Sequence, residues 1–332
     1  LCRAWMAKAA PGTRDEIREV ANRVRHSLPE SVGDGDFERT LRQLESEFAI
    51  DLGPAHALRS RDHRPWLEAR RHQISFNYWR RYRDLLVGSG FGSKVVNRLD
   101  EVTDQILDLS GDPADEGSWS RRGLVVGHVQ SGKTANYVGL INKAADAGYR
   151  LIILIAGIHS NLRSQTQERI DQGFVGRDSD QLLSRNRNAP FLGVGKINRS
   201  FSAVAYTSRA YDFTRSRADG LGISILNLAQ PAIFVIKKNK SILTNLIEWL
   251  AGTSLAGDRL TLPMLVIDDE ADNASVNTAR DPDRPNAINK LIRSLLKIST
   301  RNSYIGYTAT PFANIFIDPD SETELFEQDL FP

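Results

Sequence analysis

The sequence predicts an α/β protein in which an all-helical region, residues 1–118, precedes a mostly parallel sheet over residues 119–332. Three observations predict it. Up to residue 109 the apolar residues recur only at helical spacings. From Trp119 onward, short apolar segments alternate with helical ones. A glycine-rich loop joins the first of those segments to the helix after it. Such alternation gives parallel strands covered by helices on both faces.

Within the first region, Asp36 caps a helix carrying Phe37, Leu41, Leu44 and Phe48 on one side. Pro65 stands at the first turn of a longer helix expected to reach about Val87. Val95, Leu99, Val102, Ile106 and Leu109 then recur three and four apart, an amphipathic stripe. Residues 110–118 (SGDPADEGS) are polar turn formers and read as a linker. Beyond it, strands are expected at 124–126, 151–156, 203–207, 232–236, 264–267 and 304–307. Helices are expected at 134–147, 162–170, 242–250 and 287–298. Residues 171–200 have no periodicity, and so long a loop in a compact domain is usually functional or mobile.

The formal net charge of +2 supplies no global attraction to nucleic acid. Basic character is local: 33 of the 43 basic residues are arginine, eight of them between Arg59 and Arg83. Trp66, Phe76, Tyr78, Trp79 and Tyr82 lie among them, and arginine with stacking aromatics is a nucleic-acid pattern. On a helical projection, however, Leu67, Ile74, Tyr78, Tyr82 and Leu85 share the inner face. Arg80 and Arg83 point away, and Arg70, Arg71 and Arg81 flank it, so a packing helix with a charged rim is expected. Cys2 is the only cysteine, which excludes an internal disulfide and a multi-cysteine zinc site. No apolar run approaches the ~20 residues of a membrane span, and no signal-peptide pattern opens the chain. A cytoplasmic setting without membrane contact is expected. The missing initiator Met and the abrupt Phe331-Pro332 end suggest a piece of a longer protein.

Chemistry concentrates in three places. Residues 127–134 read GHVQSGKT, a complete G-x-x-x-x-G-K-[ST] phosphate loop between a strand and a helix. Gly127, Gln130, Ser131, Gly132, Lys133 and Thr134 are the expected nucleotide contacts, Lys133 reaching the β- and γ-phosphates and Thr134 a magnesium ion. ATP and Mg2+ are therefore the expected cofactors. The second place, residues 264–272 (MLVIDDEAD), is an apolar strand ending in carboxylates. A nucleotide-hydrolysing site needs one carboxylate for the metal and one to polarise water, and Asp269 and Glu270 take these roles. Asp268 is the alternative metal ligand if the strand ends one residue earlier. The third is residues 307–311 (YTATP), a strand end that can bond the acidic cluster and sense the γ-phosphate; Asp272, Thr308 and Thr310 are the expected coupling residues.

In this order GHVQSGKT, DDEAD and TAT resemble the first RecA-like lobe of superfamily-two helicases and translocases. That resemblance implies a RecA-like P-loop ATPase lobe. Two further segments fall where that superfamily contacts a nucleic-acid backbone. Residues 155–165 (IAGIHSNLRSQ) supply Ser160, Asn161 and Arg163, and residues 236–239 (IKKN) supply Lys237 and Lys238. GHVQSGKTANYVGLI, IAGIHSNLRSQT, VIKKN, DDEADNASVNT and GYTATPFANIF are similar to the proteins bearing the Z-one domain. The likeness covers most of the chain from about residue 60. That family is associated with endonuclease activity and with prokaryotic restriction-modification and anti-phage defence. It implies a DNA-directed motor, with DNA, a second RecA-like lobe and defence-system proteins as partners. The chain departs from the family in lacking any match to the second lobe, its arginine finger or the Z-one region, and it shows no nuclease constellation.

Three rivals are weighed against the motor. One is a non-motor ATP-dependent switch gating assembly with partner proteins; against it, Lys133 and Asp269 lie farther apart than compact AAA modules leave them. A GTPase is disfavoured because residues 239–242 (NKSI) lack the Asp of an Asn-Lys-x-Asp motif. A degenerate, structural P-loop domain is disfavoured by the intact catalytic residues.

Overall fold

The computed structural model describes residues 14–28, 33–48, 63–126, 132–184, 186, 188–253, 258–272 and 287–309. Six strands form one all-parallel sheet: β1 Trp119–Val126, β2 Leu151–Ala156, β3 Val204–Ala205, β4 Ala232–Ile236, β5 Met264–Asp269 and β6 Arg301–Thr308. Their spatial order is β1-β6-β5-β2-β4-β3. Eight longer helices accompany them: α1 Arg14–His26, α2 Asp34–Phe48, α3 Asn77–Gly88, α4 Ser93–Leu109, α5 Lys133–Ala147, α6 Ser160–Ile170, α7 Lys240–Thr253 and α8 Ala287–Leu296. The fold is thus an α/β domain preceded by a helical N-terminal region. Among the described residues no helix is long and apolar enough to cross a membrane.

Side chains alternate across each strand, so successive residues feed two cores. Ile152, Leu154, Ile233, Val235, Leu265 and Ile267 pack toward α5. Ile153, Ile155, Phe234, Val266 and Tyr304 pack toward α7 and α8 through Leu243, Leu246, Ile292 and Leu295. Helix α5 is buried almost all round, because α3 and α4 lie on its outer side. Its buried Lys143 donates to Asp100 and, at 2.5 Å, to Asp104 on α4. The helical region and the sheet therefore share one core, in which Trp79, Tyr82, Leu99 and Leu107 meet Leu140 and Ile141.

Four expectations are corrected. The helix expected from Pro65 to Val87 is broken: a short turn at Leu67–Arg70 is followed by α3, and Phe76 between them is left-handed with φ 48°. Asp146 is the cause. Its carboxylate accepts the amide N–H groups of Tyr78 and Trp79 at 2.9 and 2.8 Å, capping a new helix start. Arg81, expected at the rim, is buried and donates to the carbonyls of Phe174 and Phe201. Burial lowers its pKa to about 10.

The expected linker is half packed. Trp66 Nε1 donates to the Ser110 carbonyl at 2.9 Å and Tyr149 Oη to the Gly111 carbonyl at 2.6 Å. Residues 171–200 also fold onto the core instead of looping freely. Asp171–Val175 continues α6 as a π-turn, and Phe174, Val175 and Val194 are buried. Asp171 accepts from Gln167 Nε2 at 2.9 Å and Ser179 Oγ at 2.6 Å, while burial raises its pKa to about 7. The pieces span only four or five residues each, too short to leave a period in the sequence.

Candidate functional site

Parallel pairing levels the carboxyl ends of four strands. Val126 of β1 pairs with Thr308 of β6, Tyr307 with Asp269 of β5, and Asp269 with Ala156 of β2. β6 lies between β1 and β5, so the carboxyl end of β1 and the acidic end of β5 flank its tip. Ligands of open parallel sheets bind in the crevice beyond such ends.

Gly132 immediately precedes α5 with φ 70°, a left-handed conformation costly to any side chain. It turns the chain so that Lys133 and Thr134 form the first turn, whose free amides and helix dipole favour an anion. The period of two in β5 decides between its two aspartates. Leu265, Ile267 and Asp269 face α5, whereas Asp268 lies on the opposite side, fully buried. Asp268 accepts the Tyr304 hydroxyl at 2.8 Å and pairs with Lys238 at 2.8 Å. Only Asp269 looks toward Lys133. Burial raises the Asp269 carboxyl above its ordinary pKa, and the Lys133 ammonium opposes that rise.

Glu270 follows in a left-handed conformation with φ 54°, which costs a non-glycine residue on the order of 1 kcal/mol or more. Three bonds hold it there. Its N–H donates to Asp269 Oδ1 at 3.0 Å, and its carbonyl accepts Lys238 Nζ at 2.7 Å. The next amide, Ala271, donates to the Tyr307 carbonyl at 2.9 Å. The Glu270 carboxylate lies over Gly157, where a Cβ would stand 3.1 Å from Oε2. Glu270 and Asp269 line a cleft together with Thr134, Tyr137, Gln165 and Arg169.

The tip of β6 is tied to both sides of this cleft. Thr308 Oγ1 donates to Asp272 at 2.8 Å. Tyr307 Oη donates to Asn136 Oδ1 of α5 at 2.8 Å. Gly127, Gln130, Ser131 and Thr310 lie outside the described residues.

Two residues expected to meet nucleic acid are turned inward. Lys238 is buried, and its ammonium bonds Asp268 and the carbonyls of Asp269 and Glu270. It props the acidic turn from below. Arg163 is buried on the inner face of α6 with Thr166, Gln167 and Ile170, spaced i, i+3, i+4, i+7. Its guanidinium donates to the carbonyls of Ser208 at 2.8 Å and Arg209 at 2.6 Å. Ser160 and Asn161 are exposed, and the half-buried Lys237 reaches Ser160 Oγ at 3.3 Å. Breaking a buried ion pair from one side costs about 3–5 kcal/mol. Lys238→Ala should therefore lower the urea midpoint by the equivalent of about 3 kcal/mol. An unchanged midpoint would remove this propping role.

Arg169 and Gln165 line the cleft although neither is among the expected site residues, and Asn136 of α5 ties the cleft to β6. Arg169 Nη1 donates to Thr134 Oγ1 at 2.8 Å. Helical spacing was the available signal: Leu162, Gln165, Thr166 and Arg169 form a second i, i+3, i+4, i+7 face of α6, and all line the cleft.

No protein-family model and no curated protein matches this chain. A phosphate tail fits the positive-φ turn, the first-turn amides and Lys133. Magnesium commonly takes one or two carboxylates and leaves its other positions to phosphates and water. A cleft offering the Asp269 carboxylate and the Thr134 hydroxyl suits such an ion.

Proposed function

We propose that the chain is a RecA-like lobe that binds and hydrolyses ATP, as part of a DNA translocase or helicase-like protein in anti-phage defence or restriction-modification. The observation that carries the proposal is the placement of Lys133, at the start of α5, opposite Asp269 across the tip of β6. Lys133 and the first-turn amides hold the β- and γ-phosphates, and Thr134 and Asp269 hold magnesium. Bound magnesium neutralises charge developing on the phosphate oxygens during transfer. Glu270 orients the attacking water and takes its proton. Its fixed backbone suits that role, because a base must meet its proton at hydrogen-bond distance. Thr308, Thr310 and Asp272 pass the nucleotide state to the sheet edge, where Ser160, Asn161 and Lys237 are the surface candidates for DNA contact.

An arginine finger is worth ~10³ to 10⁵ in turnover. Without the second RecA-like lobe expected to supply one, these 332 residues should bind ATP and turn it over slowly.

A second reading, an ATP-dependent switch that gates assembly, gains from two observations. Arg163 and Lys238 are internal. In addition, Val126, Ile158 and Leu162 are exposed apolar residues at the carboxyl edge, a surface suited to a protein partner. The deciding experiment is an ATPase assay with and without single-stranded and duplex DNA. Stimulation by DNA supports the motor. Indifference to DNA, with stimulation by an added partner protein, supports the switch.

A further inference from the structure

The geometry points to Arg169 as the residue that distinguishes a nucleoside triphosphate from a diphosphate in this cleft. The inference rests on the phosphate-loop reading above. Arg169 sits near the C-terminal end of α6, one turn after Gln165 on the face that lines the cleft. Its side chain is exposed, and among the described residues it forms no ion pair. A solvent-facing guanidinium normally gains little by entering a cleft. This one enters it to donate to the Thr134 hydroxyl at 2.8 Å, the group expected to bind magnesium.

That bond cannot survive metal binding unchanged. A divalent ion on the same hydroxyl repels a guanidinium donating to it, so Arg169 must leave Thr134. Its long side chain keeps the charge within the cleft, where a phosphate tail would be the strongest anion. Guanidinium presents several planar donors matched to phosphate oxygens, and those contacts are charge-assisted. Lys133 approaches the tail from the phosphate-loop side, whereas Arg169 approaches from α6 across the cleft. A diphosphate ends short of that second cation. Arg169 thus holds Thr134 in the nucleotide-free cleft and turns to the terminal phosphate when the triphosphate is seated. It is a specificity-determining residue supplied by this lobe itself.

The test compares ADP with a non-hydrolysable ATP analogue by calorimetry in wild type, Arg169→Ala, Arg169→Lys and Lys133→Ala. A hydrogen bond to a charged group is worth ~1.5–3 kcal/mol, or roughly 10- to 100-fold in affinity. Arg169→Ala should weaken the analogue by about 10-fold or more and leave ADP within about 2-fold. Arg169→Lys should recover part of the difference. The magnesium concentration needed for half-maximal analogue binding should fall in Arg169→Ala, because Thr134 is no longer engaged. Lys133→Ala should weaken both nucleotides. A preference for the analogue over ADP that is the same in Arg169→Ala and wild type overturns the role of Arg169. Wild type that binds neither nucleotide overturns the phosphate-loop reading and this inference with it. Thermal unfolding of each variant confirms that the exposed substitution leaves the fold intact.

Discussion

Lys133→Ala is expected to weaken nucleotide binding by about 10³-fold or more, close to 4 kcal/mol, seen as the loss of a calorimetric signal at concentrations that saturate wild type. Two effects combine. In the proposed site the ammonium would donate to phosphate oxygens on both sides of the β–γ bridge, and each such charge-assisted bond is worth ~1.5–3 kcal/mol. It also offsets the cost of bringing phosphate charge toward Asp269 and Glu270, which line the same cleft. The folded state should lose little, because Lys133 is only half-buried and stands at the start of its helix. A shift in thermal midpoint as large as that for Lys238→Ala would mean that Lys133 is structural. Undiminished affinity would mean that the glycine-rich loop does not hold phosphate.

The contrast between these two lysines shows what was legible in the sequence. Lys133 could be placed because its motif fixes the covalent path: strand, glycine turn, helix start. Most of the strands were legible because a buried parallel sheet writes itself as short apolar runs, although β1 begins at Trp119, five residues before its apolar run, and the short helices of 171–200 left no period. Lys238 and Arg163 were misplaced because a basic residue just past a strand, or in the first turns of the helix after it, reads alike whether it faces water or buried oxygens. A signal existed in both cases. Phe234 and Ile236 face α7, so a period of two continued past the strand end puts Lys238 on that side, where Asp268 lies. Arg163 is seven residues before Ile170, on the same helical face. The break at Phe76 left no such mark. It depends on Asp146, which lies 67 and 68 positions from the amides it caps, and no local window spans that distance.

Glu270→Gln should lower turnover by about 10³-fold, within the 10² to 10⁴ range of general base catalysis. Nucleotide affinity should stay within a few-fold of wild type. The substitution is nearly isosteric and keeps the backbone bonds that hold the turn: the N–H to Asp269 Oδ1 and the carbonyl to Lys238 Nζ are untouched. What it removes is the carboxylate's capacity to take a proton from water. Affinity and rate should therefore separate, a result that neither misfolding nor loss of the phosphate site can produce. Single-turnover hydrolysis of radiolabelled ATP, set beside calorimetry on the same preparation, reads both quantities. DNA added to wild type and variant then tests the motor, because stimulation that survives in Glu270→Gln would come from another base. Equal rates in the two proteins would leave Glu270 as a strained turn residue without a catalytic role, and the search for the water-activating group would move to Gln165 on the facing helix.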